Sequence, residues 1–228
     1  METSSFQKYR TIEGEGSAEI VIEKSRFIAY VRPVRSRGEA EVFFAEIRRR
    51  HHDARHNVPC FAVSGGGSAD ERWSSDDGEP QGTAGAPMLR LLVGEGVTDT
   101  AAVVTRYFGG VKLGTGGLAR AYTAALKAAL ADAGVVDVTV GIELRYRMPY
   151  PAFERMKAAA AREGWAVSDA KYEDAVTFTV SGPHECGDAM RAAASFVAGA
   201  DTAPLSVGAT EIGRARYGME DNDGRHHK

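Results

Sequence analysis

The stretch from Val103 to Tyr122, VVTRYFGGVKLGTGGLARAY, constrains the fold more than any other. Its β-branched start reads as a strand, and Gly109, Gly110, Gly114, Gly116 and Gly117 read as a glycine loop opening a helix. Apolar residues then fall at Leu118, Ala121, Tyr122, Ala125, Leu126, Ala129 and Leu130. That i, i+3, i+4, i+7 spacing marks one buried helical face, with Gly134 as the stop. A strand that enters a helix through glycines leaves backbone N–H groups unpaired at the helix start, an arrangement that favours anions. The charges agree: no acidic residue lies between Asp99 and Asp132, whereas Arg106, Lys112, Arg120 and Lys127 are cationic. Lys112 and Arg120 oppose the helix dipole by about 0.3–1 kcal/mol each, a cost that a bound anion would offset.

The chain of 228 residues is long enough for two small domains, and 43% apolar residues suffice for a core. A net charge of −3 excludes a protein that coats nucleic acid generally, so any affinity for phosphate must come from a local patch. Cys60 and Cys186 lack Cys or His at zinc spacing and read as buried free thiols in a reducing compartment. The first residues show no basic segment before an apolar run, and no stretch is long and apolar enough to span a bilayer. A cytoplasmic protein without membrane contact is expected. No metal and no cofactor is expected.

Residues 1–34 alternate apolar and polar side chains through Ile20, Ile22, Phe27, Ala29 and Val31, giving two or three strands. Ser36 and Glu39 match a capping box opening a helix to Arg50, whose terminal arginines suit the dipole. A strand follows at 58–64, closed by Gly65-Gly66-Gly67, then a polar surface loop from Ser64 to Trp73. The loop Ser75–Pro87 holds Asp76, Asp77 and Glu79, with Pro80 and Pro87 stiffening it, and a short helix spans about 87–93. Beyond Gly134 a strand around Ile142–Met148, a helix from Pro151, strands at 165–172 and 175–180, a helix at about 183–199 and a strand near 205–212 follow. This β-α-β-β-α-β order is that of a ferredoxin-like fold. The reading is α+β, with an N-terminal domain at 1–138, a ferredoxin-like domain at 139–213 and a disordered polar tail at 214–228 containing His226 and His227.

Gly114-x-Gly116-x-x-Ala119 satisfies a dinucleotide fingerprint, but the acidic partner would be Asp137, at the start of the next strand rather than its end. No Gly-Lys-Ser/Thr marks a phosphate loop of the Walker type. A second candidate is an acid–base or metal cluster of His52, His56, Asp76, Asp77 and Glu79. A third is an anion patch of Arg106, Lys112 and Arg120 with the N–H groups of Gly114, Gly116 and Gly117, flanked by Tyr107, Phe108 and Tyr122. Tyr122 lies on the apolar helix face and Phe108 ends a strand, so both read as core rather than as exposed rings, and Arg106 reads equally as an internal partner of Asp76 or Asp77.

Asp76-Asp77-Gly78-Glu79-Pro80-x-Gly82-Thr83-Ala84-Gly85 and Arg106-Tyr107-Phe108-Gly109-Gly110-x-Lys112-Leu113-Gly114-x-Gly116-Gly117-Leu118-x-Arg120-Ala121-Tyr122 resemble the signatures of the IMPACT/YigZ family. His52-x-Ala54-x-His56 also looks like that family's pattern. The resemblance implies an N-terminal fold like the second domain of ribosomal protein S5 and a C-terminal ferredoxin-like domain similar to domains of translation elongation factor G. Eukaryotic members act in translational control, and nucleic-acid or ribosome binding is the usual proposal for bacterial ones. The expectation is therefore an RNA- or ribosome-binding protein, with a possible protein partner in translation, that holds phosphates at Gly109–Arg120. The alternative is a hydrolase-like enzyme at a cleft of His52, His56, Asp76, Asp77, Glu79 and the glycine loop.

Overall fold

The computed structural model describes residues 8–64 and 70–216, the side chains of 214–216 excepted. Among the described residues are two sheets and five α-helices, a mixed α/β architecture. The chain divides into two compact units, one built on Tyr9–Asp137 and the other on Val138–Arg214.

In the unit Tyr9–Asp137, β1 (Lys8–Ile12), β2 (Gly16–Ile22) and β3 (Ser25–Pro33) precede α1 (Arg37–Arg50). Then come β4 (His56–Val63), β5 (Glu71–Ser74), α2 (Gly85–Gly94), β6 (Thr100–Tyr107) and α3 (Gly114–Ala133). The sheet order is β2-β3-β6-β4-β5, and each register given for it is antiparallel. Both faces of its centre are buried. Ala102 and Val104 of β6 pack with α2 and α3, while Ala101 and Val103 pack with α1 through Phe43 and Ile47. This two-sided burial explains why β6 reads as a continuous apolar run rather than an alternating one.

Ser36 caps α1 as expected, accepting from the Glu39 N–H at 3.2 Å. Glu39 reaches back one residue further than a capping box requires, accepting from Arg35 N–H at 2.9 Å. The segment Ser64–Trp73, read as a loop, carries β5, in which Trp73 stacks on Phe44 and Phe61. Gly65-Gly66-Gly67 lie outside the described residues.

The glycine-rich stretch is divided differently from the sequence reading. Only Gly109 and Gly110 are connection; Gly114, Gly116 and Gly117 already belong to α3. Gly109 has no freedom to change, because a Cβ there would lie 2.0 Å from the Lys24 carbonyl carbon. Lys24 sits with Glu23 in the two-residue β2–β3 turn, both at positive φ. Helical glycines cost roughly 0.5–1 kcal/mol each. Burial of Leu118, Tyr122, Leu126 and Leu130 outweighs that, at about 1.5–3 kcal/mol per large side chain.

The unit Val138–Arg214 holds the rest of β7 (Val135–Met148), α4 (Tyr150–Glu163), β8 (Ala166–Tyr172), β9 (Val176–Pro183), α5 (Gly187–Ala198) and β10 (Ser206–Arg216). β10 pairs with β7, β7 with β9 and β9 with β8. Leu144, Tyr146, Phe153, Met156, Phe178, Val180 and Met190 form its core. Pro151 stands in the first turn of α4, and Gly164 closes it in the left-handed conformation. β10 runs to Arg216, three residues into the segment read as tail; residues 217–228, with His226 and His227, lie outside the described residues. Cys60 is buried, and burial pushes its thiol pKa up, whereas Cys186, also read as buried, is only half-buried.

Candidate functional site

The antiparallel pairing of β4 with β6 sets His56 opposite Arg106. Both side chains point to the sheet face on which α3 begins, and the loop Ser75–Ala84 closes over them. Glu79 is the centre of this arrangement. Its Oε1 accepts from Arg106 Nη1 at 2.7 Å and from Tyr122 Oη at 2.8 Å, with His56 Nε2 at 4.0 Å. Only 3% of the Glu79 side chain and 7% of the Arg106 side chain are exposed, so the pair is desolvated and strongly coupled. Burial and then the Glu79 charge push the Tyr122 pKa up, which keeps its hydroxyl a donor.

The neighbouring carboxylates are engaged in holding the loop. Asp76 accepts from the backbone N–H groups of Gly82, Ala84 and Gly85 at 2.7, 3.0 and 2.9 Å. Burial raises its pKa, but those three hydrogen bonds outweigh it and leave the pKa below the ordinary 3.8. Asp77 accepts from Arg48 and from the Asn57 N–H, and its carbonyl accepts from His56 Nδ1 at 2.8 Å. A carbonyl cannot donate, so the proton sits on Nδ1 and leaves Nε2 facing Glu79. The partner of Arg106 is thus Glu79, not Asp76 or Asp77.

A cleft of about 450 Å³ opens in front of this cluster. Its polar wall is Arg55, His56, Glu79, Arg106, Lys112 and Thr115, and Pro80, Phe108, Leu113 and Leu118 supply the apolar part. Gly114, at φ +68°, lies on the rim and starts α3; Leu113, the residue before it, offers no side-chain cap. The first turn of α3 carries no acidic residue. The free N–H groups and positive dipole end of a 20-residue helix therefore open on a cationic cleft. A second cavity, of about 180 Å³, is lined by Arg32, whose guanidinium is already held by Glu15 and Glu46.

The structure thus brings together Arg106, Lys112 and Gly114 with His56 and Glu79. Arg120 and Gly116 are not on the cleft wall but stand beside it: Arg120 Nη1 would lie 3.6 Å from a Cβ at Gly116. Gly117 packs against Leu113. His52 is exposed away from the cleft, and Asp76 and Asp77 are tied into the loop, so the five-residue acid–base cluster is not assembled. Among the described residues no three His, Cys, Asp or Glu side chains are grouped to hold a metal ion. Phe108, read as core, is 56% exposed, whereas Tyr122 is fully buried. Sequence reasoning missed Arg55 and the Tyr122 hydroxyl; the latter had a signal, since a tyrosine on an apolar helix face must find a partner for its oxygen. Tyr107 alternates to the opposite face, where its hydroxyl donates to Asp53 and meets His51 Nδ1.

Comparison with known proteins places this geometry in a lineage. Residues 23–130 match the Impact N-terminal domain, which contains every residue of the cleft. The chain is 46% identical over 132 residues to the IMPACT family member YvyE of Bacillus subtilis. It is 35% identical over 162 residues to the IMPACT family member YigZ of Escherichia coli, covering 79% of that protein. The chain belongs to the IMPACT family. The match to YvyE spans 58% of this chain and 60% of YvyE. A crystal structure described only as that of a hypothetical protein superimposes with a TM-score of 0.59 at 28% identity, covering 91% of this chain and 98% of its own. Among the described residues, no helix is long and apolar enough to cross a membrane.

Proposed function

We propose that the cleft at the start of α3 holds the phosphates of RNA, and that the protein acts in translation or its regulation as a cytoplasmic RNA- or ribosome-binding protein. The observation that carries this reading is the convergence of an uncapped helix N-terminus with Arg55, Arg106 and Lys112 around one cleft. Of the carboxylates in the acidic loop, only Glu79 reaches that wall, and it is committed to Arg106 and Tyr122. Family membership supports the translational part, since the eukaryotic members this chain resembles act in translational control. In the same reading the unit Tyr9–Asp137 has the fold of the second domain of ribosomal protein S5, and Val138–Arg214 is ferredoxin-like. The order β10-β7-β9-β8 supports the second assignment.

The test is binding of a fluorescent single-stranded RNA oligomer, and of ribosomes, at two salt concentrations by the wild type and by Arg55→Ala/Lys112→Ala. Both side chains are exposed and have no ion-pair partner among the described residues, so the double substitution leaves the fold intact. Loss of two phosphate contacts flattens the dependence of log affinity on log salt by about 1.4 for a single strand. An unchanged slope, or no RNA binding by the wild type, overturns the proposal.

A further inference from the structure

We infer that the cleft recognises a phosphate monoester carried by a nucleotide, such as a chain's terminal 5′-phosphate, rather than the internal diesters of a strand. This inference rests on the phosphate-binding reading above and narrows its ligand.

The charge of the cleft matches a monoester better than a diester. Among the described residues, Arg55, Arg106 and Lys112 face the cleft against the one carboxylate of Glu79, an excess of two positive charges over these four groups. The start of α3 adds about half a charge. A phosphate monoester carries about −1.5 to −2 at neutral pH, whereas an internal diester carries one charge. The monoester is the better match.

Arg106 also carries an orphaned donor. Arg106 lines the cleft with 93% of its side chain buried, and its Nε has no hydrogen-bond partner among the described residues. A buried guanidinium normally satisfies its donors; here a donor is left unpaired on a side chain that lines the cleft, and a small shift of that side chain would offer it to an acceptor from outside the chain. Arg106 lies near the end of β6 and is 93% buried, so a terminal group that enters the cleft approaches it more closely than a strand that passes along the surface.

The shape of the cleft favours the same ligand. Sites that track a single strand spread their cations along a groove. Here the cations surround one cleft of about 450 Å³, within the range that holds a small ligand. Phe108 stands 56% exposed on the same wall, its ring centroid 5.5 Å from the Arg106 guanidinium. It offers a base a stacking face next to the cation that would meet the phosphate.

The experiment is calorimetric titration of the full chain with inorganic phosphate, a nucleoside 5′-monophosphate, and one RNA oligomer bearing either a 5′-phosphate or a 5′-hydroxyl. The phosphorylated oligomer should bind at least about tenfold more tightly than the hydroxyl form, the ratio supplied by one added charge-assisted hydrogen bond. Phe108→Ala should weaken the nucleotide and the phosphorylated oligomer by about tenfold and leave inorganic phosphate unchanged, whereas Lys112→Ala should weaken all three. Equal binding of the two oligomers overturns this inference and leaves RNA binding standing. Binding of the free nucleotide without either oligomer supports the monoester and removes the RNA reading. No binding of any of these ligands removes both.

Discussion

Replacing Glu79 by leucine should have opposite effects on stability and on anion binding. The substitution removes the carboxylate that accepts from Arg106 and Tyr122 and leaves a guanidinium 93% buried without a counterion. Breaking a buried ion pair from one side costs about 3–5 kcal/mol, because the remaining charge stays desolvated. For a unit the size of Tyr9–Asp137, about 4 °C of melting temperature corresponds to 1 kcal/mol, so a fall of about 12–20 °C is expected. Leucine at both Glu79 and Arg106 should recover most of the loss, since the charge and its partner leave together. In the folded fraction Glu79→Leu should bind phosphate more tightly, having removed the only carboxylate that lines the cleft among the described residues. Urea and thermal unfolding of the wild type, both single variants and the double variant supply the cycle. A loss below about 1 kcal/mol, the size of a solvent-exposed pair, would refute the desolvated coupling on which the cleft's electrostatics are built.

Tyr122→Phe should cost about 1.5–3 kcal/mol in the same unfolding assay, since it deletes one buried hydrogen bond to a charged acceptor. Stability should fall as pH drops below 3.8, because Asp76, with its folded pKa depressed, contributes stability that is present above that value and lost as it protonates; Asp76→Asn should flatten this limb. A shallower loss should begin below 6.5. Burial first, and then Arg50, holds His51 below that value, so it folds neutral and must charge in acid; His51→Gln should remove this limb of the pH–stability curve. Gly109→Ala should lower the melting temperature far more than Gly116→Ala, because only the former drives a Cβ into backbone, at 2.0 Å from Lys24.

Elements whose signals are local were legible in the sequence. The 3.6-residue period of α3, the Ser36 cap of α1 and the Pro151 and Gly164 boundaries of α4 each depend on residues a few positions apart. β5 was not legible, because Glu71-Arg72-Trp73-Ser74 lacks alternation and is held by pairing with β4 and by Trp73 on two phenylalanines. The reach of α3 into the glycine stretch was hidden for a related reason: glycine opposes helix formation, and burial of residues further along the helix overrides it. In the cleft, charge pattern alone pointed to Lys112 and the helix start. Glu79 rather than Asp76 or Asp77 reaches Arg106 because Asp76 and Asp77 are bound to backbone N–H groups, which spacing along the chain cannot reveal. Phe108 was misread as core since it follows a buried strand; it lies one residue past the end of β6 and projects beside the cleft.

In the proposed binding mode the free N–H groups at the start of α3 receive the phosphate. Backbone amide shifts, followed by NMR while a 5′-phosphorylated RNA oligomer is titrated into the full chain, test it most directly. The account predicts that the largest shifts fall on Gly114, Thr115 and Gly116, with smaller ones along Arg55–His56 and Glu79. Shifts that leave the amides of Gly114–Gly116 unmoved while changing another surface would contradict it.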